Sequence, residues 1–575
     1  MGIAASVLGR FRGGVHPPEN KALSAACAIE PVPLPKRLNV PLHQHIGKPA
    51  EPCVNSGQKV LKGQLIAKAE GFVSAPVHAP TSGTIVDFVE VPSGHPSGIP
   101  MLCAVLEADG EDKWIPDPEV LAEPLQAEPG VIRQMIRDAG IVGLGGATFP
   151  SYIKMSPPKD KVVEALILNG VECEPYLTCD ARLMEERAEA VVAGAEIMLH
   201  ALQTRRCIIG IEANKPAAIR AMREAVSGRS DMKVEVLPVM YPQGAEKQLI
   251  QALIHREVPS GGLPIDVGVI VHNVATAVAI RNAICFGQPL ISRLVTMTGK
   301  GIGRPANLEV LIGTSVAELI AHCGGLKEGV EKVVMGGPMM GVALHQLDVP
   351  VVKGTSGILA LFGEDFVSAK EQTCIRCCSC MRVCPIGLMP NELSWLAKSD
   401  QFDRLQEYNL FDCIECGSCA YVCPSNIPLV HYFRYGKFAI QSRDRERAKT
   451  ELSRARTQAR EDRLAREKAE RERKKEEMKA QMAAKKGASA TPPAATEVVE
   501  PGVDKASRAV AAKARAVQAE RAASQAMTGE TPPPPVDATP VAPTAQAPAP
   551  VAAAPVAPAA EAPAPVAAAP VAPAA

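Results

Sequence analysis

A chain of 575 residues has room for about three or four domains. Its 62 Lys and Arg balance 62 Asp and Glu, so it lacks the basic excess that a nucleic-acid surface requires. No stretch approaches twenty uninterrupted apolar residues, which excludes a bilayer-spanning helix, and the seventeen cysteines are either scattered singly or packed into two short runs, as in a reducing compartment rather than a disulfide framework.

The opening, MGIAASVLGRFRGG, has a short apolar run without the charged leader and full apolar stretch of a secretory signal. Met1-Gly2 with Ser6 formally matches a myristoylation pattern. GGVHPPEN at 13–20 is turn-rich and expected to be extended. From Pro41 to Phe88 short strands alternate with turns at Gly57, Gly63, Gly71 and Gly83, and this stretch resembles the half-barrel of biotinyl/lipoyl-type domains. The turn that would present a modifiable lysine there, around Gly71 and Phe72, has no such lysine, so residues 1–125 are expected to be a β-module used for packing. His43 and His45, two apart on a strand face, read as surface or interface residues rather than metal ligands.

Over 126–290 strand-like runs (VEALILNG, CIIGIE, KVEVLPV, VGVIVHNV) alternate with helical ones (MEERAEAVVAGAEIMLHAL, PAAIRAMREAV, GAEKQLIQALI). That alternation predicts a parallel sheet with helices on both faces. Ligands of such folds bind on loops at the carboxyl ends of strands. Three loops are expected there: Gly140–Pro150 with Lys154 after it, Asn169–Pro175, and His272–Thr276. Glycine lets backbone amides approach a phosphate, while Asn and Thr supply the donors and acceptors that suit the amide-like edge of a flavin ring.

LVTMTGKGIGRPANLEVLIGTSVAELIAHCGG, from about residue 290, reads as strand, turn, strand and helix. Met335, Met339 and Met340 further on read as packing residues. Then come CIRCCSCMRVCP and CIECGSCAYVCP, each C-x₂-C-x₂-C-x₃-C-P, the spacing that holds a [4Fe–4S] cube. Three near thiolates grip one cluster and the fourth, before proline, reaches to the other. Cys374, Cys377, Cys380 and Cys423 are therefore expected to hold one cluster, and Cys384, Cys413, Cys416 and Cys419 the second. C-x₂-C pairs also build Cys₄ zinc sites, but two complete runs with matching Pro385 and Pro424 favour clusters. Residues 441–486 alternate acid and base at i,i+4 and predict an exposed helix. Residues 487–575 are rich in Ala and Pro, end in a repeated APAPVAAAPVAPAA, and predict a disordered tail.

GLGGATFPSYIK, NGVECEP, YPQGAEKQLI and VHNVAT occur in the order seen in the NADH-oxidising flavoprotein subunit of respiratory complex I. With a β-module ahead, beginning GGVHPPENK, and a two-cluster domain behind, residues 10–440 resemble the C subunit of the Rnf ion-translocating electron transport complex. The resemblance implies a multidomain α+β and α/β chain. It comprises a barrel-sandwich-like β-module (1–125), a Rossmann-like FMN/NADH domain (126–290) and a β-grasp, SLBB-like module (291–365). A helical ferredoxin-like domain (366–440) follows. It further implies that Gly143, Gly145, Gly146 and Lys154 surround the flavin phosphate and ribityl chain, and that Asn169, Glu172, Asn273 and Thr276 line the flavin. Phe149, Glu174 and Glu246 would face the nicotinamide nucleotide. Val171 stands where the complex I subunit has an acid, Leu144 replaces an arginine and Ala245 a glutamate, so the nucleotide pocket is less polar here.

Nicotinamide nucleotides exchange electrons in pairs and clusters singly, and a flavin bridges the two. The implied protein is a translocase subunit that passes electrons between NAD(H) and ferredoxin-side partners through FMN and two [4Fe–4S] clusters. It would dock on membrane and iron–sulfur subunits at the cytoplasmic face of the bacterial inner membrane, where the ion movement takes place. The alternatives are a cobalamin reductase of a bacterial microcompartment, which shares the flavin-plus-two-cluster plan, and a wire subunit without NADH binding.

Overall fold

Residues 11–95, 98–366 and 370–487 are described by a computed structural model of the chain. Met1, Gly2 and Ser6 of the myristoylation pattern, and the Ala/Pro-rich tail after residue 487, lie outside them.

The first strand, β1 (Ile29–Pro31), belongs to a sheet built much later in the chain. The β-module itself consists of β2 (Arg37–Pro41), β3 (Glu51–Pro52), β4 (Lys59–Val60), β5 (Leu65–Lys68), β6 (Val77–His78), β7 (Gly83–Val91) and β8 (Met101–Ala108). They form two small antiparallel sheets, ordered β2-β8-β7-β4 and β3-β5-β6. Strand side chains alternate between faces, so Leu38 and Val40, and Ala104 and Leu106, fall on one side and bury with Ile66 and Ile85. His43 and His45 meet edge to face beyond the end of β2 rather than on a strand; His43 is exposed, as expected, with Nε2 on Gly47 O, whereas His45 is buried and contacts Ala75.

Residues 129–286 alternate as predicted: α1 (Pro129–Asp138), α2 (Ser151–Lys154), β9 (Ala165–Gly170), α3 (Cys179–Glu186), α4 (Ala188–Leu202), β10 (Cys207–Glu212), α5 (Pro216–Ala225), β11 (Met232–Leu237), α6 (Glu246–Ile254), β12 (Val269–Asn273) and α7 (Val274–Phe286). The sheet is wholly parallel, ordered β11-β10-β9-β12. Parallel strands covered on both faces read as unbroken apolar runs, and every residue of β10 is buried. Gly194 of α4 lets α7 come close, since a Cβ there would stand 2.0 Å from Ala277 O. The helix expected over residues 184–202 is interrupted. Arg187, at φ −133°, separates α3 from α4, and its guanidinium reaches Glu309 at 2.7 Å.

The next module contains β13 (Ser292–Thr298), β14 (Ala306–Leu311), α8 (Val316–His322), β15 (Val330–Met335), β16 (Val342–Ala343) and β17 (Gly357–Phe362). Parallel β13 and β17 lie at the centre of a mixed sheet, β1-β14-β13-β17-β15-β16, as in a β-grasp. β1 joins its edge parallel to β14, Ile29 opposite Asn307. The N-terminal residues thus tie the β-module to this sheet. Met335 and Met339 are partly buried, as packing residues would be, whereas Met340 is exposed.

Short helices α9 (Ser379–Val383), α10 (Pro390–Lys398), α11 (Phe402–Glu407) and α12 (Ser418–Tyr421) precede the long α13 (Leu429–Gly487). The charged helix therefore begins twelve residues before the expected 441. Leu429, Phe433 and Ile440 form an apolar stripe that packs on Leu393, Leu396 and Leu405 before the charged run starts. The chain divides into two compact units, Met1–Arg463 and Leu464–Ala575. In the second, the described helix is exposed and carries i,i+4 pairs such as Glu470 with Lys474. Among the described residues no helix is long and apolar enough to cross a membrane.

Candidate functional site

Two asparagines at adjacent strand ends found the first site. Asn169, on β9, donates Nδ2 to Gly244 O at 2.8 Å and accepts the Val171 N–H at 3.0 Å. Asn273, ending the neighbouring β12, caps α7 by accepting the Ala275 N–H at 2.8 Å. Its Nδ2 donates to Asp180 Oδ2 at 2.6 Å and to Asn169 O at 3.4 Å.

The glycine loop expected at a strand end instead connects two helices, α1 and α2. It reaches the strand ends by folding over them. Thr276 Oγ1 accepts the Leu144 N–H at 3.1 Å, and a Cβ on Gly145 would lie 2.8 Å from Asn273 Nδ2, so only glycine fits. Thr148, at φ +51°, is a β-branched residue in the left-handed region, which marks a loop held in one shape by its surroundings. Gly143 N–H donates to Phe149 O at 2.8 Å, and Phe149 is half-buried. Gly145 and Gly146 are exposed, with nothing within 4 Å of a Cβ on Gly146. An anionic ligand can approach this backbone closely, and the amide and hydroxyl groups of Asn169, Asn273 and Thr276 stand beside it. The residues present fit FMN.

The acids are placed differently from one another. Glu172 is buried and accepts the Asp180 N–H at 2.9 Å and the Ala181 N–H at 3.3 Å, capping α3. Burial, with Glu172 beside it, raises the Asp180 carboxyl to about 6, while Asn273 and Arg293 pull it back. Glu174 turns toward the β-grasp module and accepts the Met339 and Met340 N–H groups at 2.7 and 3.1 Å. Burial raises its pKa. Lys154 pairs with Glu246 and donates to Val271 O at 3.2 Å. Gly143, Gly145, Gly146, Asn169, Asn273 and Thr276 thus come together on one shelf. Lys154 and Glu246 meet each other at its edge, and the carboxylates of Glu172 and Glu174 are taken by backbone amides. Local pattern did not single out Asp180, although its place in the first turn of the helix after NGVECEP was a usable signal. Nothing local marks Arg293 or Lys353.

The second site is a pair of clefts in the cysteine-rich module. Cys384, Cys413, Cys416 and Cys419 line one, of about 370 Å³. Cys374, Cys377, Cys380 and Cys423 line the other with Cys378, about 380 Å³. Each quartet takes three thiols from one run and one from the other. The local cause repeats: Arg376 and Cys378 adopt positive φ, as do Glu415 and Gly417 at matching places in the second run. Short α9 and α12 follow, carrying Cys380 and Cys419, and beyond them Cys384 and Cys423 leave for the opposite cleft. All eight thiols are free. Burial pushes Cys413 up to about 11, so iron binding must displace protons from the quartet. Four cysteines lining each cleft, at the spacing of the two runs, suit a [4Fe–4S] cluster rather than a single metal ion.

The two clefts differ in surroundings. Beside the first, Tyr241 Oη donates to Cys416 O at 2.6 Å and Gln248 Nε2 to Pro385 O at 3.3 Å, joining it to the parallel-sheet module. Val15 bridges to Tyr241 in the same apolar patch as Cys416. Beside the second, Cys374 and Cys377 are exposed and Ile375 is 68% exposed.

Four family models match the chain in order. These are the RnfC barrel sandwich hybrid domain over 9–111, the Nuo51 FMN-binding domain over 136–282, the SLBB domain over 294–343 and the 4Fe-4S dicluster domain over 373–427. The chain is 48% identical to the C subunit of the proton-translocating ferredoxin:NAD(+) oxidoreductase complex of Clostridium ljungdahlii, over 77% of this chain and 97% of that one. It is 48% identical to the C subunit of the ion-translocating oxidoreductase complex of Rhodobacter capsulatus, over 75% and 83%. The corresponding protein of Pseudomonas aeruginosa is 46% identical over 80% and 60%. A solved chain of an NAD+-reducing [NiFe]-hydrogenase, 18% identical over 54% of this chain and 62% of its own, overlaps with a TM-score of 0.39, too loose to bear on function.

Proposed function

The chain belongs to the C-subunit family of ion-translocating oxidoreductase complexes, and from there we propose that it carries electrons between NAD(H) and a ferredoxin-side partner through FMN and two [4Fe–4S] clusters. One observation carries the order of the path. The cleft of Cys384, Cys413, Cys416 and Cys419 is hydrogen-bonded to the flavin-domain loop through Tyr241, whereas the other cleft faces outward at Cys374 and Cys377. A cluster held by Cys384, Cys413, Cys416 and Cys419 would stand on the flavin side of the path, and one held by Cys374, Cys377, Cys380 and Cys423 would stand on the partner side.

FMN, when bound, exchanges electron pairs with a nicotinamide nucleotide and single electrons with clusters. The chain's own residues hold it in place. Gly143, Gly145 and Gly146 expose backbone to its phosphate, and Lys154 adds positive charge at the shelf's edge. Asn169, Asn273 and Thr276 orient the ring, with Glu172 fixing the loop behind them. Phe149, Glu174 and Glu246 border the nucleotide side. The membrane and iron–sulfur subunits of an Rnf-type complex would receive the protein peripherally, at the cytoplasmic face, and carry the ion movement.

A specific observation supports a second reading, a wire without nucleotide binding. Glu174 is engaged by two amides and Glu246 by Lys154, and Val171 and Leu144 offer no charge in their place. Anaerobic addition of NADH to the purified protein, loaded with FMN and iron, decides between them. Bleaching of the flavin and cluster absorption supports the oxidoreductase; an unchanged spectrum supports the wire.

A further inference from the structure

The glycine loop is gripped from behind by two buried basic side chains of the β-grasp module, Arg293 and Lys353. Arg293, on β13, is 4% exposed; its Nη2 donates to Leu144 O and its Nε to Thr355 O, both at 3.2 Å. Lys353 is 1% exposed and donates Nζ to Gly140 O at 2.7 Å and to Pro76 O at 2.9 Å. Between them, Gly354 lies so close to Thr148 that a Cβ would stand 2.7 Å from its methyl group. Among the described residues neither side chain forms a close ion pair. Burying such groups away from water is costly, which is why the carbonyls that receive them matter; Asp180 adds an electrostatic attraction to Arg293.

In a trans peptide the carbonyl and the following N–H point in opposite directions. Arg293 draws the Leu144 carbonyl into the protein, so the Gly145 N–H is turned the other way, toward the exposed face. That N–H has no acceptor among the described residues, while the Leu144 N–H beside it is taken by Thr276. Lysine in place of Arg293 would not serve equally. A guanidinium fork bonds two carbonyls lying in different directions, which a single ammonium nitrogen at the end of a flexible chain does not reproduce. The Arg293 guanidinium beneath the loop also favours an anion at its surface, while burial lowers Lys353 to about 7, so that its main part is the two carbonyl contacts it makes.

We propose that Arg293 is a positioning residue that fixes the Leu144–Gly145 peptide so that the Gly145 N–H faces the phosphate of FMN, with Lys353 anchoring the loop's first residue. The β-grasp module is then the jig for the flavin loop. This rests on the reading of that loop as the one that holds the flavin phosphate.

The test compares FMN with riboflavin, which lacks the phosphate, by fluorescence titration of the flavin-stripped, iron-loaded full chain. Wild type is expected to prefer FMN. Arg293→Lys is expected to bind FMN about tenfold to a hundredfold more weakly, the worth of one hydrogen bond to a charged group, with riboflavin affinity and iron content unchanged. Equal weakening of both flavins would make Arg293 a general structural residue and overturn the proposal, as would no weakening of either. A wild type indifferent to the phosphate would instead sink the underlying reading of the loop, and the proposal with it. If the lysine variant fails to load iron, Arg293→Gln, which keeps one donor without the charge, must show the same selective loss.

Discussion

Asp180→Asn should stabilise the protein, and more so at alkaline pH. Burial and Glu172 raise the Asp180 carboxyl from its ordinary 3.8 to about 6. The folded state therefore holds this proton more tightly than the unfolded chain does. Its stabilising effect is complete below pH 3.8 and is lost as pH rises through 6. The gap between 3.8 and about 6 corresponds to roughly 3 kcal/mol by pH 8, and to about half of that at pH 5. Asparagine removes the charge while its carbonyl can still accept from Asn273 Nδ2, now at 2.6 Å from the carboxylate. With roughly 2–4 °C per kcal/mol for a module of this size, the variant should melt roughly 6–12 °C higher at pH 8 and gain about half as much at pH 5. Thermal unfolding of the flavin-free protein by circular dichroism at the two pH values measures this. A gain that is the same at both, or a loss at pH 8, would refute a half-buried, proton-retaining carboxyl beneath the flavin shelf.

Cys384→Ser should remove about half of the iron and leave the EPR signal of the cluster bound by Cys374, Cys377 and Cys380, because Cys384 lines the opposite cleft; a spectrum matching that of Cys374→Ser would contradict crossed ligation. A chain ending at residue 446 should keep both clusters. One ending at 428 should lose the cluster held by Cys384, Cys413, Cys416 and Cys419, since Phe433 and Ile440 are buried in its module and Lys437 Nζ donates to Cys413 O at 2.6 Å; equal iron in the two would show that α13 gives no support. Glu212→Gln should cost about 3–5 kcal/mol. It breaks a 2.6 Å pair with Lys215 whose side chains are 1% and 4% exposed, and an unchanged denaturant midpoint would argue that this pair is solvated in solution.

How much of the fold is legible in the sequence depends on how local each signal is. The parallel-sheet module can be read because strands covered on both faces must be apolar throughout and helices must keep one apolar stripe; both leave periodic traces, as in β10 and α5. The cysteine runs are legible for the same reason. A cube demands its ligands at fixed short intervals, and even the exchange of Cys384 and Cys423 between clefts follows from the longer x₃ step. Where a neighbour distant in sequence decides, local pattern misleads. The helix breaks at Arg187, where the side chain turns to Glu309 more than a hundred residues on, and α13 starts at Leu429, where the ferredoxin-like module offers an apolar seat.

The candidate flavin site divides along that line. Asn169, Asn273 and Thr276 are marked by standing at the ends of apolar strands, and the glycines by their density. The carboxylates are not so marked: a sequence of acids beside Pro175 cannot say that Glu172 caps a helix while Glu174 bonds to the Met339 and Met340 amides. The chain's order of residues determined which modules form and which thiols belong together, because those depend on spacing along the backbone. Only the tertiary structure decided what stands behind the glycine loop. Arg293 and Lys353 lie far along the chain from it, and hydrogen bonds of about 3 Å form wherever folding brings donor and acceptor together.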